Sequence, residues 1–404
     1  MVLFYSQNRE GITVMPLRTC LSRVTATLVA LCVVSGVAFG ADTPHYLVTN
    51  DDVPPALTSS VTFYTVGTGG QLSAKVKVPI GQGGIAAGYF AANRVEVLDS
   101  GNAECIYASL ALNGEIVGIP VKTLEAAGHA NGSKKDTGAS NGIGLAMNAQ
   151  YLYASFTDHS TIGTFQVLPG CKLKFVSDIS VSGLQGGTID GMVIHGNIMV
   201  VTYGDGSIES FDISGGVPVS NGDEQNSTGS RRGNTYPSGV DITQDGHFAI
   251  FGDTSIFTVV EVSDISSGKL TPTVVYGLGN EINSSNVLLS PDESLLYITN
   301  NQSGTVSAAF FDKSTGKLSK GCVTRPLKGF VKDWSYVASL ALEETTGTGD
   351  VLYVAEYGAP SSIAEISVKS SGGKCTLTES AKSPALDPNS PGLLSIGAFP
   401  PRPF

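Results

Sequence analysis

The chain has 404 residues, of which 41% are hydrophobic and 15% are charged, and it is long enough to bury a sizeable core. The charged fraction lies below the roughly 25% of average soluble domains. The formal net charge is −11, and no stripe of Lys and Arg interrupts the acidic composition, which argues against nucleic acid and anionic membranes as partners.

The first 40 residues are predicted to be an export signal. Two arginines precede an apolar run from Val24 to Phe39, and Ala38-Phe39-Gly40 offers small residues at a cleavage site. The run is too short and wrongly flanked for a membrane-spanning helix. Met15 is an alternative start, because a better basic lead follows it. We therefore expect a secreted or periplasmic chain with no stable membrane insertion once the signal is removed.

After the signal, one unit of short strands and turns recurs. In its clearest copy, residues 287–318, an apolar strand ends at the turn Ser290–Ser294, where proline and short polar residues favour a turn. Leu295 to Thr299 is almost uninterruptedly apolar, as expected of a strand buried on both faces. Thr305 to Phe311 alternates with a period of two, and a tight turn with Gly316 follows.

The buried strand of this unit occurs seven times. Its copies are Tyr46-Leu47-Val48, Ile106-Tyr107-Ala108, Leu152-Tyr153-Ala154, Met199-Val200-Val201, Phe248-Ala249-Ile250, Leu296-Tyr297-Ile298 and Leu352-Tyr353-Val354. The repeats begin near residues 45, 105, 151, 198, 248, 295 and 351. This spacing of roughly 46 to 60 residues is typical of propeller blades. The sequence predicts an all-β fold in which residues 41–404 form a single domain, a seven-bladed β-propeller of four-stranded antiparallel blades.

The repeat resembles that of the lactonase-type seven-bladed propellers, a family that includes bacterial 6-phosphogluconolactonase and the carboxymuconate cyclases. The family repeat reads approximately S-P-D-G-x-x-L-Y-V-x-N, then an alternating strand, then T-G-x-L. The close matches are Ser290-Pro291-Asp292, Leu296-Tyr297-Ile298, Asn300 and Thr315-Gly316-Lys317-Leu318; the looser ones are 45–50 and 243–246. The resemblance covers nearly all of the chain after residue 44. It implies the fold more strongly than an activity, because these residues make turns and core, and the signal suggests a secreted bacterial member.

The two ends of the domain are predicted to meet in one blade. Residues 392–399 read as an innermost strand with none after it, and residues 45–50 read as a second strand with none before it. Pairing them closes the ring and leaves no open sheet edge.

Four cysteines follow the signal, and four thiols in an exported chain allow three disulfide pairings. Cys105 and Cys171 fall at the same end of neighbouring blades, as do Cys322 and Cys375. The topology therefore predicts the disulfides Cys105–Cys171 and Cys322–Cys375. The alternative is that some of these residues are free, buried thiols.

One end of the propeller is the predicted ligand-binding face, because the turns between second and third strands and the long connections between blades open there. Its candidate ligand-binding residues are Asp51, Asp52, Asp158, Asp205, Asp253, Asn300, Arg231 and Trp334. A ring of carboxylates could hold a hard cation such as calcium, or two of them could perform acid–base chemistry. Alternatively, Asp and Asn are simply what turns prefer, Arg231 is a solvated loop charge, and Trp334 packs between blades.

Opening a lactone requires a base and a positive group for the developing oxyanion. The resembling enzymes are associated with Arg and His in a G-P-R-H segment before an inner strand, and with an acidic residue in an N-E-L segment. The Arg-His pair is absent from the segments 141–144, 187–190, 236–239 and 284–286. Ala355-Glu356-Tyr357 echoes the acidic segment, so the resemblance makes Glu356 a candidate catalytic residue. His159 is the alternative base.

Two functions remain open. The first is an exported enzyme that hydrolyses a lactone or a related cyclic sugar acid at the channel mouth. The second is a non-catalytic propeller that binds a small ligand, a polysaccharide or a protein, since fold does not imply function. The missing Arg-His pair favours the second. We expect a monomer in either case.

Overall fold

The computed structural model describes residues 5–8, 11–14, 45–54, 56–85, 93–100, 104–132, 143–226, 237–254, 257–271, 274–332, 336–343, 351–358, 361–387 and 393–401. The chain divides into two units, Met1–Thr43 and Pro44–Phe404. In the first unit, β1 (Tyr5–Asn8) pairs antiparallel with β2 (Gly11–Val14). The apolar run of the predicted export signal lies outside the described residues, so the signal stays a prediction. Within the described residues, no helix is long and apolar enough to cross a membrane.

The second unit contains seven antiparallel sheets, numbered here as blades 1 to 7. Blade 1 consists of β32 (Leu393–Phe399), β3 (Tyr46–Asp51), β4 (Ser59–Val66) and β5 (Leu72–Gly81). Blade 2 consists of β6 (Val95–Asp99), β7 (Glu104–Leu110), β8 (Glu115–Pro120) and β9 (Gly128–Asn131). Blade 3 consists of β10 (Ile143–Met147), β11 (Tyr151–Phe156), β12 (Thr161–Leu168) and β13 (Lys172–Ser180).

The other four blades follow the same order from the innermost strand outward. Blade 4 consists of β14 (Ile189–His195), β15 (Ile198–Tyr203), β16 (Ser207–Asp212), β17 (Val219–Ser220) and β18 (Gln225–Asn226). Blade 5 consists of β19 (Pro237–Ile242), β20 (Phe248–Thr254), β21 (Thr258–Asp264) and β22 (Val274–Gly279). Blade 6 consists of β23 (Ser284–Leu289), β24 (Leu295–Asn300), β25 (Thr305–Asp312) and β26 (Lys317–Val323). Blade 7 consists of β27 (Tyr336–Glu343), β28 (Val351–Tyr357), β29 (Ser361–Ser371), β30 (Lys374–Glu379) and β31 (Ala385–Asp387).

Ring closure by the two ends of the domain is confirmed. β32 pairs antiparallel with β3, from Tyr46 opposite Phe399 to Asp51 opposite Leu393. The innermost strand of blade 1 therefore comes from the C-terminal end of the chain and its other three strands from the N-terminal part of the domain. The predicted seven blades of four-stranded antiparallel sheet are confirmed as well, with β18 and β31 as short additions to two of them.

The second strand of each blade is buried on both faces because it packs between two neighbouring blades. All six residues of β24 are buried, and the repeated tyrosines of these strands are among the largest fully buried side chains. The hydroxyl of Tyr153 donates to the carbonyl of Gly216 in the next blade at 2.7 Å, and that of Tyr353 donates to the carbonyl of Gly70 at 2.6 Å. The repeat motif thus joins each of these tyrosines to a turn of the following blade.

Both predicted disulfides are present. Cys105 in blade 2 is bonded to Cys171 in blade 3, and Cys322 in blade 6 is bonded to Cys375 in blade 7. The bonds close loops of 66 and 53 residues. Each bond therefore ties together two neighbouring blades.

Replacing Cys105 and Cys171 together by alanine is expected to lower the free energy of unfolding by about 4 kcal/mol, because a loop of this length then gains freedom in the unfolded chain. The midpoint of urea unfolding measures the loss. The double variant Cys322→Ala/Cys375→Ala is the matched comparison, with a similar expected loss. An unfolding midpoint equal to that of the parent protein would show that the bond does not constrain the unfolded chain.

Candidate functional site

The inner strands of the seven blades surround a central channel that contains a cavity of about 200 Å³. Most of the residues that line this cavity are apolar. Its polar lining residues are Asn93, Glu96, Asp241, Asn286 and Ser339. Concave sites with mostly apolar walls and a few polar groups are the usual places for ligand binding, so this cavity is the candidate site.

Glu96 is a lining residue whose carboxyl group has a pKa far from its ordinary value. It lies in β6, the inner strand of blade 2, and keeps partial exposure to the channel. Burial raises the pKa of its carboxyl group to about 8, although a hydrogen bond with the backbone of Val97 opposes this shift. A carboxyl group with this pKa exchanges its proton near neutral pH, as a general base or acid must.

A buried ion pair fixes the start of the strand that carries Glu96. Arg94 Nη1 donates to Asp52 Oδ2 at 2.8 Å, and both side chains are almost completely buried. Burial lowers the pKa of Arg94, while the charge of Asp52 opposes that change. The backbone N–H of Arg94 donates to Ser395 Oγ at 2.9 Å, and its carbonyl accepts a bond from Asn50 Nδ2 at 3.1 Å. Blades 1 and 2 are therefore held in register at this end of the channel.

Two possible hydrogen-bond donors line the same cavity as Glu96. Asn93 has a φ of 57°, a left-handed conformation that asparagine tolerates better than most residues, and its carbonyl accepts the N–H of Leu145 at 2.8 Å. Ser339 Oγ accepts the N–H of Ile396 at 3.3 Å, which leaves the serine hydroxyl able to donate. An amide and a hydroxyl that share a cavity with a protonatable carboxyl group are suited to a reaction in which negative charge develops on a carbonyl oxygen.

Several of the predicted ligand-binding residues direct their hydrogen bonds into their own blade. Asp51 is fully buried and accepts bonds from Thr49 at 2.5 Å, Ser60 at 2.9 Å and Thr62 at 2.5 Å. Asn300, also fully buried, donates to two hydroxyls of the following strand, Thr305 Oγ1 at 3.1 Å and Ser307 Oγ at 2.9 Å. These contacts stabilise the turns of the blades. This is the structural role that the sequence analysis gives as the alternative to ligand binding.

Asp205 and Asp52 also have local partners. Burial acts to raise the pKa of Asp205, but bonds from Ser207, Gln185 and Gly187 outweigh it, so that the pKa is lowered. Its carboxylate closes the turn of blade 4 through Ser207 Oγ at 2.6 Å and Gln185 N at 2.7 Å. Asp52 belongs to the ion pair with Arg94 and also accepts the N–H of Ile85 at 2.7 Å.

Asp253 lies beside a second carboxyl group, that of Glu261 on the neighbouring strand. Both residues are fully buried. Burial, together with the charge of Glu261 and a hydrogen bond to it, raises the pKa of Asp253 to about 8. Asp253 therefore binds a proton more tightly in the folded protein than in the unfolded chain, where an aspartate has its ordinary pKa of 3.8.

This shift makes stability depend on pH. The contribution of protonated Asp253 is fully present below about pH 4, and it is lost as the pH rises through the folded-state pKa of about 8. We expect the free energy of unfolding to fall between pH 5 and pH 9, and to fall less in Asp253→Asn, by about 1.4 kcal/mol for each pH unit between the two pKa values. Urea unfolding at pH 5, 7 and 9 measures both slopes. Identical slopes in the two proteins would contradict this assignment.

Glu356, the catalytic candidate that the resemblance implies, lies at the end of β28 and is almost fully buried. Burial raises its pKa to about 7 despite a bond from Ser362 Oγ at 2.7 Å. The backbone of Gly329 passes so close that a Cβ there would overlap the carboxylate of Glu356. Glu356 is therefore covered by the connection between blades 6 and 7 and does not line the cavity.

The other predicted site residues are not among the described residues that line the cavity. His159 lies in a short 3-10 turn, Thr157–His159, and is partly exposed. Asp158 belongs to the same turn, but its side chain lies outside the described part of the chain, as do Arg231 and Trp334 altogether. Tyr336, the first described residue after this gap, stacks on Tyr357 of the neighbouring strand with ring centroids 6.1 Å apart.

The described residues do not form a cluster of metal ligands. Among the residues that the structure describes, no group of three or more His, Cys, Asp or Glu side chains is arranged to hold a metal ion. The predicted calcium ion stays a prediction.

The sequence-based candidates did not include five residues of interest, namely Asn93, Arg94, Glu96, Asp190 and Ser339. Glu96 lies in the first strand of blade 2 and Arg94 directly precedes it; this strand has no turn motif, whereas the repeats are recognised by their second strand. The available signal was an acidic residue inside the apolar run Val95 to Leu98. Asp190 is nearly buried at the start of β14, where burial and the charge of Asp205 raise its pKa to about 8.

Comparisons with known proteins agree with this architecture. Residues 194–389 match the family described as "Lactonase, 7-bladed beta-propeller". A comparison with curated proteins finds no match. Two solved structures, from Bacteroides uniformis and Bacteroides fragilis, are each described as a "putative 6-phosphogluconolactonase".

The Bacteroides uniformis protein is 12% identical, with 88% of this chain and 99% of that chain covered and a TM-score of 0.64. The Bacteroides fragilis protein is 13% identical, with 89% and 99% covered and a TM-score of 0.59. A functionally unknown protein from Desulfotomaculum acetoxidans is 15% identical, with 87% and 98% covered and a TM-score of 0.57. At these identities the structural likenesses establish the fold alone.

Proposed function

We propose that this chain, a seven-bladed β-propeller whose residues 194–389 match the lactonase propeller family, is a lactone hydrolase whose reaction takes place in the central channel, with Glu96 as the general base. The observation that carries the proposal is Glu96 itself. Glu96 lines the cavity, and burial raises the pKa of its carboxyl group to about 8, close to the working pH that general acid–base catalysis favours.

The side chains around Glu96 suit each step of the reaction. The ionised carboxylate accepts a proton from a water molecule as the water oxygen attacks the carbonyl carbon of the lactone. Negative charge then develops on the carbonyl oxygen, where the Asn93 amide and the Ser339 hydroxyl can donate hydrogen bonds. When the bond between the carbonyl carbon and the ring oxygen breaks, Glu96 returns its proton to the ring oxygen. The product is one hydroxy acid, and no other reactant is needed.

The ion pair between Arg94 and Asp52 has a positioning role in this proposal. Arg94 precedes the first residue of β6 and is bonded to blade 1 through its side chain and its backbone. It therefore holds the strand from which Glu96 projects. An arginine before an inner strand partly replaces the segment whose Arg-His pair the sequence lacks, although the following residue here is Val95 rather than histidine.

The location of the reaction can be tested by filling the cavity. In Val193→Trp, a larger side chain replaces a half-buried lining residue of β14, and we expect turnover of small aliphatic and sugar lactones to fall at least about tenfold because the substrate is excluded. Val219→Trp, at a position 63% exposed on β17, is the matched control. Turnover that survives Val193→Trp in a folded protein would place the reaction elsewhere.

A non-catalytic scaffold is the second candidate function. The favouring observation is that Asp51, Asn300 and Glu356 are buried and hydrogen-bonded within or between blades, which makes a rigid ring without exposed catalytic groups at these positions. Such a ring would present its loops to a polysaccharide or a protein. If no lactone is turned over above buffer, with or without calcium, this second candidate replaces the first.

We also propose that the protein acts in the periplasm or outside the cell. Two disulfides tie neighbouring blades together, and such bonds persist mainly in oxidising compartments. Fractionation of cells that express the whole chain tests the proposal. Recovery of the mature protein in the cytosolic fraction, with reduced thiols, would contradict it.

A further inference from the structure

We infer that the channel selects a small, uncharged and largely apolar lactone over a sugar lactone that carries a phosphate. This inference rests on the proposed function, and it comes from the wall of the cavity rather than from Glu96. Five inner strands each contribute a half-buried apolar side chain to that wall, namely Val97, Met147, Val193, Leu288 and Leu340.

The size of the cavity limits its occupant. About 200 Å³ is less than the roughly 300–1,000 Å³ of pockets that enclose drug-sized ligands. A simple five- or six-membered lactone has six or seven non-hydrogen atoms and is well below drug size. A phosphorylated sugar lactone has more than twice as many, so a small cavity favours the simple lactone.

The charge of the lining residues also favours an uncharged lactone over a phosphorylated one. The charged residues among the described lining are Glu96 and Asp241, and both are acidic. Asp241 Oδ2 accepts the N–H of Leu289 at 2.8 Å and Oδ1 accepts the N–H of Ile242 at 2.9 Å. A phosphate group in this cavity would meet like charges and, within the described lining, no lysine or arginine to pair with.

Polar substituents without charge are also disfavoured by this wall. Asn286 Nδ2 already donates to the carbonyl of Ala338, which uses one of the two N–H donors of that amide. Hydroxyl groups that face valine, leucine and methionine side chains lose their hydrogen bonds to water without replacement. A neutral lactone has one carbonyl oxygen to satisfy, and the lining residues Asn93 and Ser339 both carry donors for it.

The test compares kcat/KM for δ-valerolactone, glucono-δ-lactone and 6-phosphogluconolactone at pH 8.5, together with calorimetric binding of δ-valerolactam and gluconolactam, which are not hydrolysed. We expect δ-valerolactone to be preferred over the phosphorylated lactone on the order of 100-fold, since an unpaired charge in an apolar site costs several kcal/mol. We also expect δ-valerolactam to bind more tightly than gluconolactam, and to lose binding in Val193→Trp but not in Val219→Trp.

The two proposals fail in distinguishable ways. Equal or greater kcat/KM for the phosphorylated lactone overturns the selectivity while the lactone hydrolase stands. Tight δ-valerolactam binding that Val193→Trp removes, with no turnover of any lactone, supports the selectivity of the channel and overturns the hydrolase. Gluconolactam binding equal to or tighter than that of δ-valerolactam overturns the selectivity whatever the turnover. The melting temperature of each variant shows that it is folded.

Discussion

A chain that stops at Pro391 is expected to lose the stability of the whole ring rather than the order of one blade. The deletion removes β32, whose residues Ile396, Ala398 and Phe399 are at least 92% buried. It also removes Ser395, which accepts the N–H of Arg94 from blade 2. Loss of three such apolar side chains removes roughly 5 kcal/mol of burial, which approaches the 5–15 kcal/mol that stabilises a typical domain.

Urea unfolding, followed by circular dichroism, measures this prediction. Deletion of residues 402–404 is the control, because it leaves β32 intact, and we expect its unfolding midpoint to match that of the parent. If the chain that stops at Pro391 unfolds at the parent midpoint with the same dependence on urea, closure by β32 does not hold the ring together.

Glu96→Gln is expected to lower kcat/KM for the best lactone by about 100-fold or more, which is the usual contribution of a general base. Glutamine keeps the shape of the side chain but cannot accept the proton of the attacking water. In the parent protein, the base must be ionised, and burial raises its pKa to about 8. Activity should therefore be low at pH 6, rise through pH 8 and level off above it.

Glu356→Gln is the matched control for this variant. Glu356 also has a raised pKa, of about 7, but it is covered by the backbone at Gly329 and does not line the cavity. We expect its substitution to leave kcat/KM within about threefold of the parent, a change of less than 1 kcal/mol. A large loss in Glu356→Gln, with little loss in Glu96→Gln, would return the catalytic role to the residue that the resemblance implies.

The fold could be predicted from the sequence because each blade repeats the same pattern of strands and turns. The strand that contains Tyr297 or Tyr353 must be apolar on both faces, since it lies between two blades, and this requirement leaves a visible run of residues. The cysteine pairs followed from the same topology, because the strand order brings Cys105 beside Cys171 across a blade boundary.

The candidate site was harder to predict from the sequence, because it is assembled from strands that are far apart along the chain. Asn93, Glu96 and Ser339 line one cavity only when blades 2 and 7 are placed around one channel. The carboxylates at the turns were visible in the sequence, but residues such as Asp51 serve the turn itself. Burial of Glu96, which raises its pKa, is a property of the closed ring and has no local sequence signature.

The most direct test of the channel as the reaction site is the titration of the Glu96 carboxyl carbon by ¹³C NMR, with the signal assigned by its absence in Glu96→Gln. The titration is repeated with saturating δ-valerolactam. We predict a midpoint of about pH 8 and a change in both midpoint and chemical shift when the lactam binds. A midpoint near the ordinary value of 4.5, with no response to the lactam, would contradict the account.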